Sequence, residues 1–131
     1  MSNDRGQALI EFAIGLPIVL LAAFYAFALL DAATTQEAVD AGARRAALAI
    51  AGSNDDAQAR GAALSTGWLR GQSVVITIEP DGTQVRCGGS AVTITVDAPG
   101  HLGFLLPTAA RWRAAQPSTI ENVGRQAENC P

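Results

Sequence analysis

The chain has 131 residues, of which 49% are hydrophobic and only 16% are charged, and its formal net charge is -3. This length allows a single folded unit with one appendage and excludes a multidomain enzyme. All nine basic residues are arginines, which are scattered singly or in pairs and do not alternate with aromatic residues. The acidic balance and this scatter exclude a nucleic-acid-binding surface, so nucleic acid is not an expected partner.

The hydrophobic residues are concentrated near the N-terminus. Residues 12–30 form an uncharged run, FAIGLPIVLLAAFYAFALL. As a helix this run would be about 28 Å long, which matches the roughly 30 Å hydrocarbon core of a bilayer. It is apolar on every face, and the remaining residues are too few to bury it inside a soluble core. The sequence therefore predicts one membrane span.

Two kinds of N-terminal segment fit this run. A secretory signal peptide would end at the small-residue site AFA at 26–28, although the run is longer than a usual signal core and begins beside Glu11. A retained membrane helix is the alternative. The positive-inside rule does not orient that helix, because Arg5 lies before the run and Arg44 and Arg45 follow it.

The residues just before the span form a processing pattern. A short polar leader ends in Gly6, and the next residues are QALIEF, which place Glu11 and Phe12 at the head of the apolar run. The stretch RGQALIEFAIGLPIVLLAAFYAF resembles the N-terminal region of TadE-like minor pilins, the type IV pilin-like components of tight-adherence (Flp-type) pilus systems. The resemblance covers about residues 5–50.

The resemblance implies how the N-terminal segment would work. A prepilin peptidase would cut after Gly6 on the cytoplasmic side, remove the leader 1–6 and leave Gln7 as the new N-terminus. Glu11, followed by Phe12, would then pair with the freed amine of Gln7 in a neighbouring subunit and set the register of packed helices. From its own chemistry, Pro17 is expected to kink the helix in its first half.

The resemblance also implies partners and a location. The expected partners are the prepilin peptidase, other minor pilins and the major Flp-type pilin, the assembly platform with its ATPase, and inner-membrane lipid. The chain would be a single-pass inner-membrane protein with its C-terminal domain outside the cytoplasm, incorporated into or priming an extracellular pilus for surface adherence. The competing function is an envelope binding module, anchored by an uncleaved helix or released after Ala28, that joins no filament.

Helical patterning continues past the span without a breaker. One helix is predicted from about residue 9 to residue 51, with its membrane half at 7–30 and an amphipathic second half. The apolar face of that second half is rich in alanine and consists of Ala32, Val39, Ala43, Ala46 and Ile50. The polar residues at 53–56 give a turn and a helix-capping signal, and a second helix is predicted at 55–69.

The hydrophobic period then changes to two, which is typical of strands. Strands are predicted at 73–79, 84–87 and 91–97, as an antiparallel meander. An edge strand is predicted at 108–116, with loop from there to residue 131. The predicted fold class is α+β and pilin-like, in which a long N-terminal helix is followed by a short helix and a small antiparallel sheet, and residues 31–131 form the domain outside the membrane.

Few residues are candidates for catalysis or ligand binding. His101 is the only histidine, and its spacing from the two cysteines does not resemble a zinc site. Gly88 and Gly89 are followed by neither a helix nor a lysine, so they indicate a hairpin turn and not a phosphate cradle. Asp55 and Asp56 indicate helix capping and not acid catalysis. The sequence predicts no enzyme activity, no metal or cofactor, and no small-molecule substrate.

Cys87 and Cys130 are the only cysteines. If the domain lies outside the inner membrane, the oxidising compartment favours a disulfide between them, tying the C-terminal segment to the middle strand of the predicted meander. A closed loop of about 44 residues would contribute on the order of 4 kcal/mol to stability. Two free thiols in a cytosolic domain are the alternative.

Overall fold

A computed structural model describes residues 3–82, 84, 86–100 and 111–121 of the chain. Within these residues the elements are, in chain order, α1 (Asn3–Ser53), α2 (Asp56–Leu64), β1 (Val75–Glu79), β2 (Ala91–Pro99) and β3 (Arg111–Thr119). A long N-terminal helix, a short helix and a three-stranded antiparallel sheet confirm the predicted α+β class.

α1 is one continuous helix of 51 residues. The prediction began it near residue 9, but the helix extends back to Asn3. Gly6 lowers helix propensity by only about 1 kcal/mol relative to alanine, which does not end a helix that the following residues favour. At its other end Ser53 Oγ donates to the Ala49 carbonyl at 2.7 Å, and Asn54 adopts a left-handed φ of 50°. This terminating geometry ends the helix slightly later than predicted.

α2 is shorter than predicted. Asp55 caps it as expected, because its carboxylate accepts a hydrogen bond from the Ala57 N–H at 2.8 Å. The helix ends at Leu64, since the Ser-Thr-Gly residues that follow favour turns, and the Leu69 N–H donates to the Thr66 carbonyl at 3.0 Å in one such turn. Leu69 is fully buried, so this turn segment is anchored in the core.

The three strands form one antiparallel sheet in the order β1-β2-β3. β1 pairs along its whole length with β2, and the described residues 84, 86 and 87 are not in a strand, so the strand predicted at 84–87 is wrong for them. The side chain of Arg86 is buried, and the Cys87 carbonyl accepts a hydrogen bond from the Ser90 N–H at 2.9 Å. The Cys87 N–H donates to Ser90 Oγ at 3.0 Å. The turn from Cys87 to Ser90 therefore forms hydrogen bonds with the backbone N–H and carbonyl of Cys87, which in a strand would bond to a neighbouring strand.

β3 ends three residues later than the predicted edge strand at 108–116, and residues 108–110 of that prediction lie outside the described residues. It pairs with β2 from Arg111 to Thr119, so the loop predicted from Gln116 onward is wrong for the residues up to 119. Pro117 cannot donate to a strand ladder, and it is accommodated because β3 lies at an edge of the sheet. The rest of the predicted C-terminal loop, from residue 122 onward, lies outside the described residues.

The core lies between the sheet and the two helices. The second half of α1 contributes the predicted apolar face, in which Val39, Ala43, Ala46 and Ile50 are buried and Ala32 is half-buried. Burial of alternate residues along the strands shows that one sheet face turns toward the helices. The strand and α2 residues of the core are Ile76, Ile78, Val92, Ile94, Val96, Ala98, Ala114, Ala59 and Ala63.

β3 runs alongside the second half of α1 in the same direction. Ser118 Oγ donates to the Ala47 carbonyl at 2.9 Å. At the opposite end of the domain, a Cβ added at Gly100 would lie 3.1 Å from the Trp112 indole nitrogen and 3.3 Å from a carboxylate oxygen of Asp31. These three residues, Asp31, Gly100 and Trp112, are named the Asp31 end of the domain below.

Candidate functional site

The N-terminal half of α1 is a large uncovered apolar surface. The helix is long and apolar enough to cross a membrane, and none of its most apolar stretch is buried by the rest of the described chain. An exposed apolar surface of this size marks a site of contact with lipid or protein. Its large exposed side chains are Leu9, Ile10, Phe12, Ile14, Leu16, Ile18, Val19, Leu20, Leu21, Phe24, Tyr25, Phe27, Leu29 and Leu30.

Gly6 lies in α1, and no packing contact explains it. A Cβ added at this position would meet no atom within 4 Å. A glycine inside a helix costs roughly 0.5–1 kcal/mol relative to alanine. The described fold therefore offers no structural reason for glycine at this position, and the same holds for Gly15 in α1 and Gly61 in α2. The predicted cleavage between Gly6 and Gln7 stays a prediction.

Glu11 and Phe12 are both exposed on the uncovered half of α1. Gln7 Nε2 donates to Glu11 Oε1 at 3.4 Å within the same helix. No described residue forms an ion pair with Glu11. Its carboxylate is therefore accessible to a second chain, as the predicted pairing with the amine of a neighbouring Gln7 requires. That pairing stays a prediction.

Pro17 lies inside α1, and the helix continues on both sides of it. Its ring removes one backbone donor and leaves the carbonyl one turn earlier without its usual partner. In a membrane such an interruption is tolerated where neighbouring helices or local adjustments satisfy the freed group. Pro17 therefore does not end the helix, and the kink predicted at this residue stays a prediction.

The alanine-rich face of α1 is occupied within the chain itself. Ala43 and Ala46 are fully buried in the same core as the strand residue Ile94. Small residues on a helix allow close approach of a packed element, and here that element is the chain's own domain. The surface of α1 that is left for other molecules is therefore mainly its N-terminal half.

The structure contains a buried ion pair that the sequence analysis missed. Arg86 is 1% exposed and binds the carboxylate of Asp56, while its Nε donates to the Pro80 carbonyl at 2.8 Å. The Gly82 N–H donates to Asp56 Oδ2 at 3.0 Å. The pair fastens the β1–β2 connection to the start of α2. The sequence signal was an arginine inside a predicted strand, which by itself does not reveal an inward-facing side chain.

Of the two cysteines, Cys87 is among the described residues and Cys130 is not. Cys87 lies in the connection between β1 and β2 and not in a strand, so the expected tie to a middle strand of a meander is wrong. No cysteine among the described residues is free. Cys130 lies outside the described residues, and its disulfide with Cys87 stays a prediction.

The remaining sequence candidates are the glycines at 88 and 89 and His101. Gly89 has a φ of 84° and lies in the turn from Cys87 to Ser90. Because residues 86 and 87 are not in a strand, this turn does not join two strands and is not the hairpin turn that the sequence predicted. Among the residues that the structure describes, no group of histidine, cysteine, aspartate and glutamate side chains could hold a metal ion. His101 lies outside them.

Comparison of the chain with protein-family models, with curated proteins and with solved structures finds no match. Two features of the described residues stand out: the Glu11 carboxylate is open to a second chain, and the domain leaves the apolar surface of α1 uncovered.

Proposed function

We propose that the chain is a minor pilin of a tight-adherence (Flp-type) pilus. A prepilin peptidase cuts it after Gly6, and the mature chain is incorporated into the filament or primes its assembly. The observation that carries this proposal is the spacing of Gly6 from Glu11 and Phe12 at the head of an uncovered apolar helix. The resemblance of this stretch to TadE-like minor pilins is the reason for proposing this class of pilin.

In this proposal α1 has two successive environments. Before assembly its N-terminal half spans the inner membrane, with the small domain outside the cytoplasm. During assembly the same apolar side chains leave lipid for the helices of neighbouring subunits, a change that is feasible because packed helices offer comparable apolar contacts. The partners are the peptidase, other minor pilins and the major pilin, and the assembly platform with its ATPase.

Glu11 provides the polar contact of the assembled state. A carboxylate in the membrane interior costs roughly 2.5–3.5 kcal/mol even on insertion scales, so a cationic partner stabilises it. Cleavage after Gly6 creates such a cation at Gln7. Pairing of Glu11 with the Gln7 amine of the next subunit then selects one axial position, because an apolar helix surface alone allows many.

N-terminal sequencing of the mature protein from membranes tests the proposal. A sequence beginning at Gln7 is expected. A protein that begins at Met1 or Ser2 would be an uncleaved membrane anchor, and one that begins at Leu29 would have lost a signal peptide. Either of those results would contradict the proposal.

A matched pair of glycine variants separates recognition from helix stability. Gly6→Val is expected to accumulate as full-length precursor, because a branched side chain blocks the peptidase at this position. Gly15→Val is the control, since Gly15 lies in the same helix and, like Gly6, has no atom within 4 Å of an added Cβ. It is expected to be cut normally. Normal cutting of Gly6→Val would remove the main argument for processing.

A further inference from the structure

The Asp31 end of the domain lies where α1 would leave a bilayer. Asp31 is the first charged residue after the uncharged run 12–30. The hydrocarbon core is about 30 Å thick and the headgroups on both sides bring the bilayer to about 40–45 Å, so residues just past the run lie at headgroup depth. Because Gly100 and Trp112 adjoin Asp31, β2 ends and β3 begins at this depth.

The side chains at this end are those that proteins use at a membrane surface. Trp112 is half-buried, with its indole nitrogen beside Gly100, and tryptophan is enriched at headgroup depth because its ring is apolar and its N–H is polar. Arg111 precedes Trp112, and β3 runs away from the span, so Arg111 lies on the bilayer side of it. Arg113 is the next exposed residue of β3, and its side chain is 71% exposed.

The charges at this end permit contact with phosphate. Arg111 and Arg113 share a single carboxylate, that of Asp97, whose Oδ2 lies 3.1 Å from Arg113. Asp97 is only 14% exposed, whereas Arg113 extends into solvent. Asp31 is the other described acid here. Two guanidiniums held by one largely covered carboxylate leave donor groups for an anionic partner.

We propose that the Asp31 end of the domain rests on the membrane surface, with Trp112 at headgroup depth and Arg111 and Arg113 bound to lipid phosphates. The partner is the headgroup layer, because this surface is continuous with the end of the membrane span. The inference depends on the membrane anchorage of α1 and not on cleavage or filament assembly.

Depth-dependent fluorescence quenching tests this placement. The full-length protein is reconstituted into vesicles of phosphatidylethanolamine and phosphatidylglycerol that contain lipids brominated close to the carbonyl region. Trp68→Phe leaves Trp112 as the only tryptophan, and loss of its fluorescence is expected. Trp112→Phe leaves Trp68 as the control. Trp68 adjoins Leu69, which contacts α1 at Gly42, about 16 Å along the helix from Asp31, so its fluorescence is expected to persist.

A second comparison tests the arginines. In the Trp68→Phe background, the fraction of Trp112 fluorescence that is quenched gives the ratio of domains in contact with the membrane surface to domains that have left it. Arg113→Gln is expected to lower this ratio about fivefold on vesicles with phosphatidylglycerol. Arg113→Lys keeps the charge and is expected to restore most of the quenching. Arg60→Gln changes an exposed arginine on α2 and is the charge control. Circular dichroism confirms that each variant is folded.

The outcomes are distinguishable. If the protein floats with the vesicles but Trp112 is quenched no more than Trp68, the proposal is wrong and membrane anchorage stands. If Trp112 is quenched but Arg113→Gln changes nothing, the phosphate contact is overturned. If the protein does not float with the vesicles, it is not anchored in the membrane, and both the anchorage and this inference are wrong. N-terminal sequencing tests the processing proposal independently of that result.

Discussion

Glu11 is the residue on which assembly would depend most. Its described partner is the side-chain amide of Gln7 at 3.4 Å, and such a pair within one helix contributes only about 0.2–0.5 kcal/mol. That contribution is small beside the roughly 2.5–3.5 kcal/mol cost of a charge inside a membrane. A stronger partner would therefore attract this carboxylate, and the proposed amine of a neighbouring Gln7 is such a partner.

Glu11→Gln should separate assembly from processing. The variant keeps the size of the side chain and removes the charge, so we expect normal insertion and cutting but loss of the protein from purified filaments. Glu37→Gln is the control, because Glu37 is an exposed acid on the same helix beyond the span. Immunoblots of sheared pili and of membranes measure both steps. Wild-type amounts of Glu11→Gln in the filaments would show that the charge pair is unnecessary.

Arg86 is the residue whose burial has the largest consequence for the domain. Its guanidinium is 1% exposed, and it is held by Asp56 and by the Pro80 carbonyl. Removing a charged group from water is costly, so the pair is stable only because every partner is in place. Loss of one member leaves the other charge without compensation.

Arg86→Met should destabilise the domain by about 3 kcal/mol, because it leaves the Asp56 carboxylate partly buried and unpaired. Arg113→Met removes an exposed arginine from its pair with Asp97 and should cost at most about 1 kcal/mol. Urea titration of the protein in detergent, followed by tryptophan fluorescence, gives both values. Equal midpoints for the two variants would contradict a structural role for Arg86.

At the scale of elements, α1 comes close at Gly42 to α2 and to the turn segment that follows α2. A Cβ added there would lie 2.6 Å from Leu69 Cδ1 and 3.4 Å from the Ala63 carbonyl oxygen. Leu69 is fully buried, so it has little room to move. Glycine at this position lets the two segments approach, which explains a residue that is otherwise unfavourable inside a helix.

Gly42→Val should therefore destabilise the domain by about 1–3 kcal/mol through overpacking. Gly61→Val is the matched control, because Gly61 lies in α2 and an added Cβ there meets no atom within 4 Å. The control should change stability by less than about 0.5 kcal/mol, since valine and glycine differ modestly in helix propensity. The same urea titration compares them, and a stable Gly42→Val protein would argue against this contact.

At the scale of the whole molecule, the turn that holds Cys87 lies against the start of the C-terminal segment. The Gly89 N–H donates to the Ile120 carbonyl at 2.9 Å, and the Ile120 N–H donates to the Ser90 carbonyl at 3.0 Å. The chain from there to Cys130 is ten residues, which can span up to about 33–36 Å. The segment is thus long enough to bring Cys130 back to Cys87 within one chain.

Non-reducing electrophoresis tests this pairing. Protein from the envelope should migrate differently from its Cys130→Ser variant, because a closed loop makes the denatured chain more compact. Reduction before loading is the control and should abolish the difference. Identical mobility together with two titratable thiols would contradict both the disulfide and the placement of the domain outside the cytoplasm.

The domain attached to α1 limits how many copies a filament can hold. It packs against the second half of the helix and projects from one side of it, so a shaft made of this chain would need room for a domain at every repeat. A tip or initiating position needs that room only once or a few times. We therefore propose a minor component.

A deletion strain tests the minor role. We expect few or no pili in the strain, and restoration of pili by a plasmid copy is the control. In wild-type filaments the protein should be a faint band beside the major subunit. Normal pilus number and length in the deletion strain, or a dominant band of this protein, would contradict the proposal.

The sequence by itself determined the features that depend on local chemistry. The uncharged run 12–30 predicts a long helix, because apolarity on every face and the absence of breakers are properties of neighbouring residues. Asp55 was recognised as a cap for the same reason, and alternation predicted β1 and β2. The spacing of Gly6 from Glu11 is likewise a property of neighbouring residues, and the processing that it predicts stays a prediction.

Only the tertiary structure decided the features that depend on distant partners. Residues 84–87 alternate like a strand, yet Arg86 is buried because Asp56, thirty positions earlier, lies within reach of it. Gly42 lies inside an ordinary helical pattern, and its necessity appears only when Leu69 contacts it. The meeting of Asp31 with Trp112 depends on β3 running alongside α1. Local periodicity does not specify any of these contacts, because each depends on which segments fold against one another.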